Sequence, residues 1–201
     1  MKTIFTVLLC GLLAYACNAQ QTLNVRINAN NDDLEEYLPS INQTKTVGTM
    51  DSGSSDLELG NEAAANKDPQ LVGLRFTNIT IPKGAIITKA YLKFTVDATG
   101  KNTDPCNLFI YAQDADNPLT FDPSVNFNIS SRAQLKDSIA WDIAAATWKT
   151  VGESGADQTS SDVSRLVQTL INRSGWTSGN EIESTRLNSS HPRLSRMPSS
   201  A

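Results

Sequence analysis

Apolar and polar residues alternate in several short runs along the chain, and each run predicts a half-buried strand. Leu23, Val25 and Ile27 carry the first. Residues 71–76 carry another, and Ile79 and Ile81 extend its rhythm to Pro82-Lys83-Gly84. In that tripeptide Pro82 fixes φ and Gly84 permits a left-handed turn. Ala90, Leu92, Phe94 and Val96 share one face of a further strand. Residues 107–112 put Leu108 and Ile110 on one side and Phe109 and Tyr111 on the other, and residues 138–143 alternate again. Residues 57–59 predict a short strand, while 28–39 and 113–126 are polar enough to read as loops. One segment has a different period. Val163, Leu166, Val167, Leu170 and Ile171 fall at i, i+3, i+4, i+7 and i+8, which predicts an amphipathic helix over about 161–173, N-capped by Ser160 or Ser161. Short strands with turns between them and one helix predict an all-β fold, a jelly-roll-like β-sandwich.

The two ends read differently from the middle. Lys2, an apolar run from Ile4 to Ala16, and small residues before Gln20 predict a cleavable signal peptide over 1–19, hence a secreted or cell-surface protein without membrane insertion after cleavage. Cys17 is the alternative, a lipidation site in a loose lipobox. Residues 184–201 have no apolar periodicity and no acidic residue, and they resemble a translated sequencing adapter. They are expected to be a non-native or disordered tail. On that expectation the domain is 20–183, and the strand that should follow the turn at Gly179-Asn180 is missing.

Val72-Gly73-Leu74-Arg75-Phe76-Thr77-Asn78-Ile79-Thr80-Ile81-Pro82-Lys83-Gly84-Ala85-Ile86-Ile87-Thr88-Lys89-Ala90-Tyr91-Leu92-Lys93-Phe94 resembles the opening half of the DNRLRE-type, carbohydrate-binding-module-like β-sandwiches of secreted bacterial proteins. Residues 148–158, 166–172 and 175–180 look like the later part of such a module. The resemblance implies a sandwich and a surface context, and says little of the ligand.

Charge and composition narrow the chemistry. Setting aside Lys2, Arg186, Arg193 and Arg196 in the two ends leaves 13 basic residues against 21 acidic ones. Such a surface disfavours nucleic acid and anionic membranes as partners and leaves cations and neutral polymers. The only histidine is His191, in the tail, so histidine-based catalysis and ordinary zinc sites are not expected. Cys106 is the one cysteine outside the signal segment and reads as a half-buried apolar residue.

Two groups of acids stand out: Asp32, Asp33, Glu35 and Glu36, then Asp51, Asp56 and Glu58. Calcium takes several hard oxygen ligands at once, and Asp32, Asp33 and Asp56 are its candidate ligands. Asp114, Asp116 and Asp122 form a looser third group. Trp148 and Trp176 lie in Gly-rich polar stretches and are the candidate platforms for a sugar ring, whereas Trp141 reads as core. The expected function is non-catalytic: an accessory module binding a polysaccharide or cell-surface glycan. The alternatives are a structural surface module with calcium-stabilised loops, and a carboxylate-dependent polysaccharide-degrading enzyme using a pair such as Glu153 and Asp157.

Overall fold

A computed structural model describes residues 20–40, 43–54, 56–59, 68–99 and 105–188, the side chains of 186–188 excepted. The expected signal peptide, and the tail from residue 189 onward, lie outside the described residues. Those described form strands β1 (Asp33–Tyr37), β2 (Met50–Asp51), β3 (Gln70–Phe76), β4 (Cys106–Ala112) and β5 (Ile139–Ile143), then helix α1 (Ser164–Ile171) and strand β6 (Ile182–Asn188). The strands make one antiparallel sheet in the order β2-β1-β3-β6-β4-β5. The fold is all-β.

The side-chain alternation of each strand gives the sheet two differently covered faces. On one face Leu108, Ile110 and Ala112 of β4, Trp141 of β5 and Ile182 of β6 pack with Ile79, Leu92 and Trp176. Val163, Leu166, Leu170 and Ile171, in and just before α1, complete this larger core. On the other face Leu34 and Leu71 meet Leu38, Phe121 and Ile129 in a smaller core. Burial of this apolar surface is the main force holding the sheet to its covering segments.

β3, β4 and β5 lie where the alternation predicts them, each within a residue or two. The turn at Pro82 also forms, with Gly84 at φ +78° and the Ala85 N–H donating to the Pro82 carbonyl. The helix is shorter than expected. Val163 occupies its N-cap without a side-chain cap, and Asp162 accepts the Ser164 N–H instead. Ser160 is drawn elsewhere, since its hydroxyl accepts the Leu92 N–H.

Other expectations differ from the structure. Residues 23–27 form no strand, and Leu23 is exposed. Residues 90–96 contribute only one isolated bridge, Lys93 to Thr159, although the Leu92 carbonyl accepts the Ser160 N–H and the Phe94 and Val96 N–H groups donate to the Gln158 and Glu153 carbonyls. Among the described residues no second sheet forms, and irregular segments and α1 supply the covering layers. The strand expected to be missing is present. β6 runs through the centre of the sheet, pairing Val72 to Phe76 on one side and Leu108 to Ala112 on the other. It is built largely from residues 184–188, which carry no apolar alternation. Two ladders of main-chain hydrogen bonds, to β3 over residues 182–186 and to β4 over 184–188, hold it in place.

Candidate functional site

The segment 33–37, expected to be loop, is β1, and its acids are turned inward. Alternation sends Leu34 and Glu36 to the smaller core and Glu35 and Tyr37 to the other face. Burying a carboxyl requires hydrogen bonds to replace water. Glu36 accepts the main-chain N–H groups of Ile129 and Ser130, each at 2.9 Å, and burial pushes its carboxyl above the ordinary range. Glu35, only 1% exposed, accepts the Glu58 N–H and the Gln70 side-chain amide. Burial first, then the charges of Glu58 and Asp51, push its carboxyl up to about 9. At neutral pH Glu35 therefore carries a proton. Gln70 Oε1 beside it is buried without a hydrogen-bond partner.

β2 brings the second acidic group alongside the first. Asp51 stands opposite Glu35 in the register, and Met50 opposite Glu36. The connection between β1 and β2 is tied down by the buried Asp68. Its carboxylate accepts the hydroxyls of Ser40 and Thr44 and the N–H groups of Thr44 and Lys45. Asp51 accepts the Tyr37 hydroxyl at 2.8 Å and the N–H groups of Gly53 and Ser54. Burial opposes its ionisation, yet these bonds hold its carboxyl below the ordinary range.

A polar cleft of about 300 Å³ opens here, lined by Asn30, Asp33, Leu34, Glu35, Asp51, Ser52, Ser54, Asp56 and Leu57. Its volume is at the lower end for small-molecule sites. Asp51 is ionised, so it only accepts; the Ser52 and Ser54 hydroxyls and the Asn30 amide both donate and accept, while the carboxyl of Glu35 is engaged by Glu58 and Gln70. The cleft is thus a mixed donor–acceptor surface rather than a purely anionic one.

Of the three candidate calcium ligands, Asp33 and Asp56 line this cleft. Asp32 does not. Its carboxylate pairs with Arg75 and accepts the Thr120 hydroxyl, and Arg75 also pairs with Glu181. Among the described residues no group of three His, Cys, Asp or Glu side chains is placed to hold a metal ion. Asp114 and Asp116 of the looser group both pair with Arg173.

Of the two candidate sugar platforms, Trp176 is placed as a packing residue. Trp176 is 2% exposed in the larger core, and its indole N–H donates to the Ile81 carbonyl at 3.0 Å. Neither of its ring faces is presented to solvent. Trp148 is half-buried, packs beside Phe94 and Trp141 with ring centroids 6.2 and 6.4 Å away, and donates to the Asp157 carbonyl. Trp141 is core, as expected. Glu153 and Asp157 lie outside the cleft lining. Cys106 opens β4 half-buried, and burial pushes its thiol up to about 11, away from reactivity.

Glu35 and Asp51 belonged to the acidic groups visible in the sequence but were not singled out as a site. Only the β1–β2 pairing joins them, and a two-residue strand leaves almost no signal in a sequence. The chain matches no family model, no curated protein and no solved structure.

Proposed function

We propose that this chain is an exported, non-catalytic binding module that takes a neutral polysaccharide, such as a cell-surface glycan, in the cleft along β1 and β2. One observation carries the reading: the acidic segments of the neighbouring strands β1 and β2 converge on a single cleft of about 300 Å³ whose wall mixes donors and acceptors. Sugar hydroxyls both donate and accept, so dispersed oxygen groups of both kinds suit them. The excess of acidic over basic residues favours neutral chains over polyanions. The resemblance of residues 72–94 to carbohydrate-binding-module-like proteins points the same way.

Affinity electrophoresis tests it. Migration through gels containing xylan, hydroxyethylcellulose or a soluble β-1,3-glucan is compared with migration through a plain gel. At least one polymer is expected to retard the protein, and Asp51→Asn combined with Asp33→Asn is expected to abolish the retardation. Free migration in all three would count against the reading.

A second occupant, calcium held by Asp33 and Asp56, is favoured by their place on the same cleft wall. Calorimetry with calcium chloride against a chelated control separates the two. The opposed shifts of Glu35 and Asp51 are also those of an acid–base pair. Against catalysis stands the burial of Glu35, which removes it from direct approach by a bulky glycosidic bond. Release of reducing ends from the same polymers is the readout for that alternative.

A further inference from the structure

Glu183 is fully buried in an ion network, and its Oε1 has no hydrogen-bond partner among the described residues. Its Oε2 pairs with Arg132, at the end of the 119–132 loop. Its register partner on β3 is Arg75, which pairs in turn with Asp32 and Glu181. Three carboxyls therefore share two guanidiniums, one positive charge short of balance, and Glu183 is the most deeply buried of the three.

A second orphan lies on the neighbouring strand. The Gln113 N–H donates to the Glu183 carbonyl, which continues the β4–β6 ladder one step past Ala112 and Ser184 and sets Gln113 opposite Glu183. Side chains at opposed positions share a face of the sheet, with Cβ atoms about 5 Å apart. Gln113 Oε1 is likewise buried and without a partner among the described residues. Two neighbouring acceptors in the interior cost free energy unless a hydrogen serves them. An amide oxygen does not carry that hydrogen, and a carboxyl does. A proton on Glu183 Oε1 donates to Gln113 Oε1, leaves Oε2 to accept from Arg132, and balances the network.

The same carboxyl fastens a loop. Arg132 ties 119–132 to Glu183, while Glu36 of β1 takes the Ile129 and Ser130 N–H groups. Toward its other end the loop meets the chain beside the cleft. The Phe121 N–H and the Thr120 hydroxyl both donate to the Asn31 carbonyl, and Asn30 lines the cleft. We propose that Glu183 is a proton-operated latch: protonated, it holds the 119–132 loop on the sheet, and loss of the proton loosens that loop and, through Asn31, the adjoining end of the cleft.

The direction follows from linkage. Burial outweighs Arg132 and Arg75 and pushes the Glu183 carboxyl up to about 7. With the loop lifted, the carboxyl meets water and returns toward 4.5. Closing the loop therefore takes up a proton between these values, so acid favours the closed loop and the advantage is lost as pH rises through 7. The groups facing Glu183 are Arg75 from β3, Arg132 from the loop, and Gln113 and Tyr111 from β4 and the residue after it. Glu181 and Asp32 lie beyond Arg75. Glu36, raised by its own burial, acts on the loop in the same sense.

Two measurements on the intact protein test the latch: an NMR titration of the Glu183 side-chain carboxyl from pH 4 to 9, and amide hydrogen exchange over the same range, corrected for intrinsic rates. Glu183 is expected to titrate near 7. Protection of the Phe121 and Ser131 amides is expected to fall about ten-fold between pH 6 and 8.5 relative to the amides of β3. The Asn30 amide shift is expected to move with the same midpoint. Glu183→Gln stays neutral and still has an N–H for Gln113, so it should remove the step near pH 7 from the loop. A Glu183 midpoint below 5 overturns the latch, and that result needs no variant to fold. Loop protection that does not fall relative to β3, or a step near 7 that persists in Glu183→Gln, overturns it as well. A still Asn30 amide overturns the link to the cleft. No sugar enters the test, so its outcome is separate from that of the polysaccharide reading.

Discussion

Glu35 on β1 stands directly opposite Asp51 on β2, and their surroundings push the two carboxyls in opposite directions. Burial beside Glu58 and Asp51 keeps Glu35 protonated. Hydrogen bonds from Tyr37, Gly53 and Ser54 keep Asp51 ionised. One hairpin thus sets a buried carboxyl that retains its proton beside an ionised one on the cleft wall.

Stability should therefore fall as pH rises. Glu35 ionises near 4.5 in the unfolded chain and near 9 in the fold. Between those values the folded state binds the extra proton, so the contribution of Glu35 is greatest at low pH and is lost as pH rises toward 9. Glu36 and Glu183 are raised as well and act in the same sense. Melting curves are expected to shift down by roughly 8–16 °C between pH 5.5 and 8.5. Glu35→Gln, permanently neutral, should flatten that dependence; an unchanged slope would count against a protonated Glu35.

Arg132 fastens the 119–132 loop to the sheet. Its guanidinium pairs with the fully buried Glu183, donates to the Leu119, Thr120 and Asn128 carbonyls, and lies over the Phe121 ring. Burial pushes the Glu183 carboxyl up to about 7 despite the arginine. Arg132→Met is expected to cost about 2–4 kcal/mol in urea unfolding at pH 8, where Glu183 would be left charged or forced to protonate. The cost should be smaller at pH 5.5, where Glu183 takes up a proton in either protein.

β6 makes the two halves of the sheet one. It supplies the hydrogen-bonding partner for both β3 and β4. A chain ending at residue 181 is expected to lose cooperative thermal unfolding and β-sheet circular dichroism. A chain ending at residue 188 is expected to keep both.

Trp176 should behave as core. Trp176→Phe removes the hydrogen bond to the Ile81 carbonyl and part of the packing, for an expected loss of about 1–3 kcal/mol. Retention by neutral polysaccharides, measured where the variant is still folded, should match the intact protein.

The legible parts of the sequence were those whose burial follows local periodicity. Leu71 to Phe76, Leu108 to Ala112 and Ile139 to Ile143 alternate and are strands; the stripe from Val163 to Ile171 marks α1. β1 was hidden because its buried positions carry carboxyls. What allows Glu36 inside is a pair of N–H groups more than ninety residues away, which no local window contains. β6 was hidden because two neighbouring ladders, not side-chain pattern, hold it. The 90–96 run alternates well, but its partner segment bends through Gly152 and Gly155, and only scattered bonds form. The acids of the cleft were visible as two groups, whereas their meeting depends on β1 and β2. Trp176 misled because its polar sequence neighbours do not report the depth of its indole.

The central claim is that ligand is held at β1 and β2. An amide-resolved NMR titration with a neutral hexasaccharide, cellohexaose or xylohexaose, tests it most directly. The expected result is saturable shifts at Asn30, Asp33, Asp51, Ser52, Ser54 and Asp56, with little change around Trp148 and Trp176. Shifts centred on Trp148, or no saturable shift with either sugar, would contradict it.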